Sequence, residues 1–236
     1  MLRRLKGRGM RYAVVKVGGH VLFNGLELDV EYARSLCAEL RRALELYDGL
    51  AVVVGGGELA RKYVSWGRAL GLGESALDAI GIRVASINAA LLWSLFHGTS
   101  PPEIPSSVSE VVAAMPVWRV VFVGGFQPAQ STTTVAALVA EALRADRLVL
   151  ATDVDGIYED DPKRNPKARK FEVVTVSELE EMFSGGVRAG EYRLLDPLTL
   201  AIIKRSKIET RVVLGKPPSN ITMALKGESV GTLINP

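Results

Sequence analysis

Three apolar runs of this chain end in glycine: Tyr12 to Val17 before Gly18-Gly19, Leu50 to Val54 before Gly55-Gly56-Gly57, and Val120 to Val123 before Gly124-Gly125. Glycine lets the backbone approach an anion closely and adopt positive φ, and successive N–H groups pointing one way form a nest for phosphate. One such loop would be an ordinary tight turn. Three in one chain point to phosphate binding. None of them fits GxxxxGK[ST] or GxGxxG, which argues against a P-loop enzyme and a dinucleotide-binding Rossmann protein. Side chains able to handle phosphate stand around these loops. Lys16 lies at a strand end, Arg61 lies one helical turn past the second loop, and Ser131-Thr132-Thr133-Thr134 opens a helix. A fourth apolar run, Leu148 to Ala151, ends in Thr152-Asp153-Val154-Asp155-Gly156. Each has a plainer reading too: an edge charge for Lys16, a solvated arginine for Arg61, a helix cap for the hydroxyls.

The elements that must position these residues alternate between strand and helix. After the first strand, Asp29 to Tyr47 carries apolar residues at helical spacing with Asp29 as N-cap, and Glu58 to Leu70 reads as a helix springing from the glycines. Ser75 to Phe96 predicts one or two further helices, and the Pro-, Ser- and Thr-rich stretch Gly98 to Ser109 a surface connection. Val121 to Asp161 reads as strand, polar loop, helix, strand, polar loop. Asp196-Pro197 opens a helix by the N-cap and N1-proline rule. Arg211 to Leu214 is a strand, Ile221 to Leu225 a short helix and Gly231 to Ile234 a last strand. The alternation predicts an α/β protein whose ligands sit at the carboxyl ends of its strands, where helix N-termini offer free N–H groups.

Composition excludes other classes. At 236 residues, 48% hydrophobic and 23% charged, the chain can bury one large core. No apolar run approaches the ~20 residues of a membrane span, and no secretory pattern follows the first arginines, so a cytoplasmic location and no membrane partner are expected. The single cysteine, Cys37, falls on the apolar side of a helical pattern and reads as core. Arg3, Arg4, Lys6 and Arg8 supply much of the positive charge within a nine-residue extension, leaving a nearly neutral body from Met10, itself a candidate start. Such a body lacks the broad basic face of a nucleic-acid binder.

The chain resembles the amino acid kinase superfamily and, within it, the archaeal type of uridylate (UMP) kinase. The resemblance rests on Lys16-Val17-Gly18-Gly19, VVVGGGELARKY from Val52 to Tyr63, LDAIGI from Leu77 to Ile82, GGFQPAQST from Gly124 to Thr132, ATDVDGIYEDDP from Ala151 to Pro162, and AGEYRLLDPLTLAIIKRS from Ala189 to Ser206. It implies a three-layer α/β/α sandwich with a mostly parallel sheet, a single domain over residues 10–236 with an acceptor lobe to about residue 145 and an ATP lobe after it, and a homohexamer built from dimers. It implies transfer of the γ-phosphoryl group of ATP to UMP, giving UDP, in pyrimidine nucleotide biosynthesis. By the same resemblance Lys16 lies against the transferred phosphoryl group, the backbones of Gly18, Gly19 and His20 lie near the ATP phosphates, Gly56 contacts UMP, and Gly57 and Arg61 serve phosphates between the nucleotides. Asp78 is expected at the ribose hydroxyls of UMP, or as a helix cap after Ser75. Phe126, Gln127, Pro128, Ala129, Gln130, Ser131 and Thr132 would wrap the uracil and its phosphate. Thr152, Tyr158 and Asp161 would line the adenosine with Asp153 beside them, and Asp196 would orient Lys16 or a metal, or simply cap its helix.

Glu159-Asp160-Asp161 has no His or Cys at ligand spacing, so no metal site is assigned to the protein and Mg²⁺ is expected to arrive with ATP. Three features depart from the family pattern: His20 stands where small residues are common and could add a donor to the phosphates or merely tune access, Ala129 replaces a usual glycine, and the basic extension is additional. Isopentenyl phosphate kinases of the superfamily carry a histidine after the glycine loop, whereas Glu58-Leu59-Ala60-Arg61 follows it here, which favours UMP. Two alternatives remain: a kinase of the superfamily acting on a carbamate, an acylated amino acid or an isoprenoid phosphate, and a non-catalytic nucleotide-binding or storage protein of the same fold.

Overall fold

The structure, a computed structural model, describes residues 9–160, 162, 164–184 and 195–236. In chain order the elements are β1 (Tyr12–Val17), α1 (Gly19–Leu22), the hairpin β2 (Phe23–Asn24) and β3 (Glu27–Leu28), α2 (Val30–Ala43), β4 (Gly49–Val54), α3 (Gly57–Ala69), α4 (Glu74–His97), α5 (Val108–Ala114), β5 (Val120–Val123) and α6 (Thr132–Ala142). They continue with β6 (Arg147–Thr152), the hairpin β7 (Ile157–Tyr158) and β8 (Lys170–Phe171), β9 (Val173–Thr175), α7 (Val176–Ser184), α8 (Pro197–Ser206), β10 (Glu209–Leu214), α9 (Ser219–Lys226) and β11 (Thr232–Asn235). The main sheet runs β5-β4-β1-β6-β10-β11-β9. Its first five strands are parallel, and β11 pairs antiparallel with β10. Helices α2, α4 and α9 pack together on one face and α5, α6, α7 and α8 on the other, giving three layers.

The strands are near-continuous apolar runs because both faces of a parallel sheet are covered. Every residue of β4 and β5 is buried. Register then brings the glycine loops together. Val17 pairs with Val54 on one side and Ala151 on the other, and Ala151 with Val213. The residues that follow, Gly18, Gly55, Thr152 and Leu214, therefore stand in one row along the carboxyl edge, with Gly215 one step beyond. The ladder runs one step past the strands: Gly18 N–H donates to Ala151 O (2.9 Å), Gly55 N–H to Val17 O (2.9 Å) and Gly215 N–H to Thr152 O (2.7 Å).

Asp29 caps α2, its carboxylate accepting from Tyr32 N–H at 2.9 Å. That helix closes at Ala43, and turns carry the chain to Tyr47, whose hydroxyl donates to Leu225 O at 2.8 Å. Ser75 to Phe96 forms one helix, α4. By length and composition α4 could cross a membrane (24 residues, mean hydropathy 1.6), contrary to the reading of the sequence by apolar runs. One side of it packs on the sheet through Val84, Ala85, Asn88, Ala89, Leu92 and Trp93, all buried. Cys37 is buried, and burial pushes its thiol up to about 11.

Candidate functional site

The glycine loops after β1 and β4 meet backbone to backbone. A Cβ on Gly19 would lie 2.1 Å from the Gly57 nitrogen, so no side chain fits between the two loops. Gly57 itself has φ 65°, the left-handed region, and starts α3. Asn88, reaching from the middle of α4, donates its side-chain N–H to Gly55 O at 2.9 Å and holds this loop from behind. The sequence carried a signal for Asn88, a polar residue on an otherwise apolar helix face, but its role became evident only from the fold.

Above the loops opens a cleft of about 350 Å³. Lys16, Gly18, Gly19 and His20 form one wall, and Gly56, Gly57 and Arg61 the next. Asp78, Gln127, Gln130 and Thr132 line another side, with Thr152 and Asp153 opposite. Most of the expected site residues, scattered over 138 positions of the chain, thus face one space. Val21, Val64, Ile82 and Ala85 supply apolar lining that residue chemistry alone did not single out.

Lys16 is half-buried beneath the cleft floor. Burial lowers its ammonium to about 8, partly offset by the Asp153 carboxylate. His20 is exposed to the cleft and is held below the ordinary imidazole value, first by desolvation and then by the Arg61 guanidinium. Arg61 itself stays within 3.5 Å of Glu58 one turn back on α3, with most of its side chain exposed.

Asp78 does not cap α4, whose N-cap is Gly73. It sits in the second turn and accepts from Ala129 N–H at 2.8 Å, tying α4 to the loop after β5. Ala129 adopts φ 64°, a left-handed conformation that a Cβ disfavours. The neighbouring Gln130 N–H donates to Gln127 O (3.2 Å) and closes the turn. Gln127, Pro128 and Ala129 are exposed, and Phe126 packs partly against the core.

Ser131 is the N-cap of α6, accepting from Thr134 N–H at 3.0 Å. Its hydroxyl also donates to Asp196 at 2.6 Å. Asp196 caps α8 by accepting from Thr199 N–H (2.8 Å) and takes the Thr134 hydroxyl at 2.8 Å. Burial raises the Asp196 carboxyl, but the bonds from Ser131, Thr199 and Thr134 outweigh it and hold the group below its usual range. Asp196 therefore joins the N-termini of α6 and α8, and it is not among the residues lining the cleft.

On the far side Thr152 ends β6. The Tyr158 hydroxyl donates to Asp155 at 2.6 Å, and Lys170 of β8 reaches the same carboxylate at 2.9 Å. Burial raises Asp155, and these two donors bring it below the ordinary carboxylate range. Lys170 was not foreseen, since only the β7–β8 hairpin brings it back to residue 155. Asp161 lies outside the described residues. Among the described residues no three His, Cys, Asp or Glu side chains converge as a metal cage. The cleft instead offers N–H groups, Lys16 and Arg61, a donor set suited to phosphates.

Residues 11–214 match the sequence profile of the amino acid kinase family. The chain is similar to the uridylate kinase of Thermofilum pendens, 50% identical over 226 residues covering 94% of this chain and 97% of the relative. It is 44% identical to that of Hyperthermus butylicus over 185 residues, 78% of this chain and 82% of the relative. The fold superposes on the crystal structure of uridylate kinase from Archaeoglobus fulgidus with TM-score 0.83 at 38% identity, covering 94% of this chain and 99% of that one. UMP kinase from Bacillus anthracis shares the fold alone, with TM-score 0.79 at 19% identity over 97% of both chains.

Proposed function

The chain belongs to the amino acid kinase family, and from this premise we infer that it transfers the γ-phosphoryl group of ATP to the 5′-phosphate of UMP, giving ADP and UDP, the activity named for its relatives. The observation that carries this reading is the cleft itself. Two glycine loops in backbone contact hold Lys16 and Arg61 between the loop after β5 on one side and Thr152 and Asp153 on the other.

No catalytic base is required. The attacking oxygen belongs to a phosphate monoester whose second pKa near 6 leaves it mostly ionised at neutral pH. The difficulty is repulsion between anions and the charge of the transferred group, so the protein's work is positioning and electrostatics. In our reading the backbones at Gly18, Gly19 and His20 hold the ATP phosphates and Lys16 lies against the phosphoryl group in transit. Gly56, Gly57 and Arg61 hold phosphates where the nucleotides meet. Asp78 faces the UMP ribose while fixing the loop Phe126 to Thr132, which wraps the base and phosphate. Thr152, Tyr158 and Asp161 line the adenosine, beside Asp153. Asp196 serves as the brace that aims the α6 N-terminus. Mg²⁺ travels with ATP, held by the nucleotide's own oxygens, and supplies charge neutralisation.

The same reading divides the single domain into an acceptor lobe to about residue 145 and an ATP lobe after it, places the protein in the cytoplasm in the supply of pyrimidine nucleotides, and assembles it as a homohexamer. ADP release from Mg²⁺-ATP, with UMP, CMP, dUMP, isopentenyl phosphate and carbamate offered separately, tests the central point. Turnover confined largely to UMP is expected. Preference for another acceptor moves the activity elsewhere in the family, and no turnover points to a binding protein.

A further inference from the structure

We propose that the His20 imidazole is a phosphate-binding side chain of this cleft, adding a donor and, once protonated, a third positive charge beside Lys16 and Arg61 where the phosphates of the two nucleotides meet. The proposal rests on the kinase reading above and concerns the side chain, where that reading invokes only the backbone at this position.

The chain has two histidines, and their surroundings differ. His97 is packed among Trp93, Phe96, Trp118 and Phe122, with Nε2 at 3.0 Å from Val120 O. That is a structural histidine. His20 is exposed on α1, faces the cleft, and among the described residues has no hydrogen bond to its ring. Charged groups face it from every neighbouring element: Lys16 from β1, Arg61 and Glu58 from α3, and Asp153 from the loop after β6.

The charge balance of the lining gives His20 its consequence. Among the described residues, and apart from the imidazole, the titratable side chains on the cleft wall are Lys16 and Arg61 against Asp78 and Asp153, two cations offset by two carboxylates. These described side chains, with no net charge between them, have to receive two polyanions. In the free protein, desolvation and Arg61 keep the ring neutral at pH 7. Phosphate oxygens arriving beside it reverse the sign of the local potential and favour the imidazolium, so binding takes up a proton. Each pKa unit by which the nucleotides raise His20 corresponds to roughly tenfold in affinity at pH below both values. This contribution is full in acid and is lost as pH rises through the raised value of the complex.

Histidine NMR tests this on the whole protein. A His20→Asn variant assigns the His20 ring signal, leaving His97 as the other. The His20 midpoint should lie below 6.5 in the free protein, rise on adding ADP with Mg²⁺ and UMP, and stay put on adding adenosine with uridine, which lack phosphate. In kinetics, the KM for Mg²⁺-ATP of His20→Asn should exceed that of the wild type severalfold at pH 6, and the difference should close above pH 8. Comparing the two proteins at each pH cancels the titration of UMP itself. A His20 signal unmoved by nucleotides that calorimetry shows to be bound overturns the proposal, as does a KM ratio independent of pH. Failure of the wild type to bind either nucleotide overturns the kinase reading, and this proposal with it.

Discussion

At residue scale the cleft sets function against stability most clearly at Lys16. An ammonium lowered to about 8 by burial is charged at neutral pH at the expense of the fold, since in the unfolded chain it keeps its proton to near 10.5. Between those values the unfolded state binds more protons, so stability rises with pH from about 8 to about 10.5. Below 8 the whole penalty is present. Lys16→Met keeps an unbranched side chain one atom shorter and removes the charge, so it should raise the melting temperature at pH 7, by about 2–4 °C for each kcal/mol relieved. Turnover should fall by orders of magnitude with the KM for UMP nearly unchanged, because on the proposed function the charge is needed in the transition state more than in the ground state. In the wild type, kcat/KM should decline as pH climbs through about 8, whereas kcat should hold to higher pH because bound phosphates raise Lys16. A variant that melts below the wild type, or that turns over normally, removes Lys16 from this role. Asp78 teaches a different lesson: its carboxylate was readable as a ribose ligand or a cap, and the hydrogen bond to Ala129 that fixes the loop after β5 needed the fold to appear.

At the scale of elements, the six longer strands of the main sheet and the helices α2, α3, α4, α6, α8 and α9 were legible because each is an apolar run or a periodic stripe bounded by glycine, a cap or proline. The hairpins β2–β3 and β7–β8, the edge strand β9, and the helices α5 and α7 were not. Two- and three-residue strands carry no measurable period, and β9 exists because β11 offers it an edge. The stretch from 98 to 109 was read as loop, yet Ser107 caps α5 through Glu110 N–H at 3.3 Å. Among these elements α6 and α8 are the pair whose spacing bears on the site, and Asp196 joins them through Ser131, Thr134 and its own cap. Removing a cap costs about 0.5–2 kcal/mol, and here two buried threonines, Thr134 and Thr199, lose a partner as well. Asp196→Ala should therefore lower the melting temperature at neutral pH and raise the KM for UMP by loosening the α6 N-terminus. Because the folded carboxyl is held below its ordinary value, its stabilisation is full above about pH 4 and fades as pH falls further, so the difference between wild type and variant should shrink in acid. A difference in melting that is the same at pH 3 and pH 7 would show that the carboxylate charge is not what braces the pair.

At the scale of the molecule, α4 has two apolar sides, and the sheet covers one of them. On the other, Ile87, Leu91 and Leu95 recur every four residues and are 65%, 44% and 40% exposed. Helix α3, packed beside α4, adds Tyr63 and Trp66 as an edge-to-face pair with centroids 5.3 Å apart, and Leu70 beyond them. Singly exposed apolar residues are ordinary, but a stripe of three on one helix, with an exposed aromatic pair on the helix packed beside it, is the kind of surface that a monomer seldom leaves in water. In the assembly of the proposed function, a second copy of this face would cover the stripe more simply than lipid, in which the polar and charged residues of the helix, Arg83 among them, would have no partners. A self-complementary patch gives a two-fold pair, and such pairs can assemble further into the closed hexamer of the proposed function. Ile87→Glu places a carboxylate at the most exposed position of the stripe, and Ile87 is not among the residues lining the cleft. Light scattering should show the variant shifted to smaller species at concentrations where the wild type is assembled, with the spectrum of a folded protein retained. An assembly of unchanged mass would mean that the copies meet through another surface and that the α4 stripe is left to water.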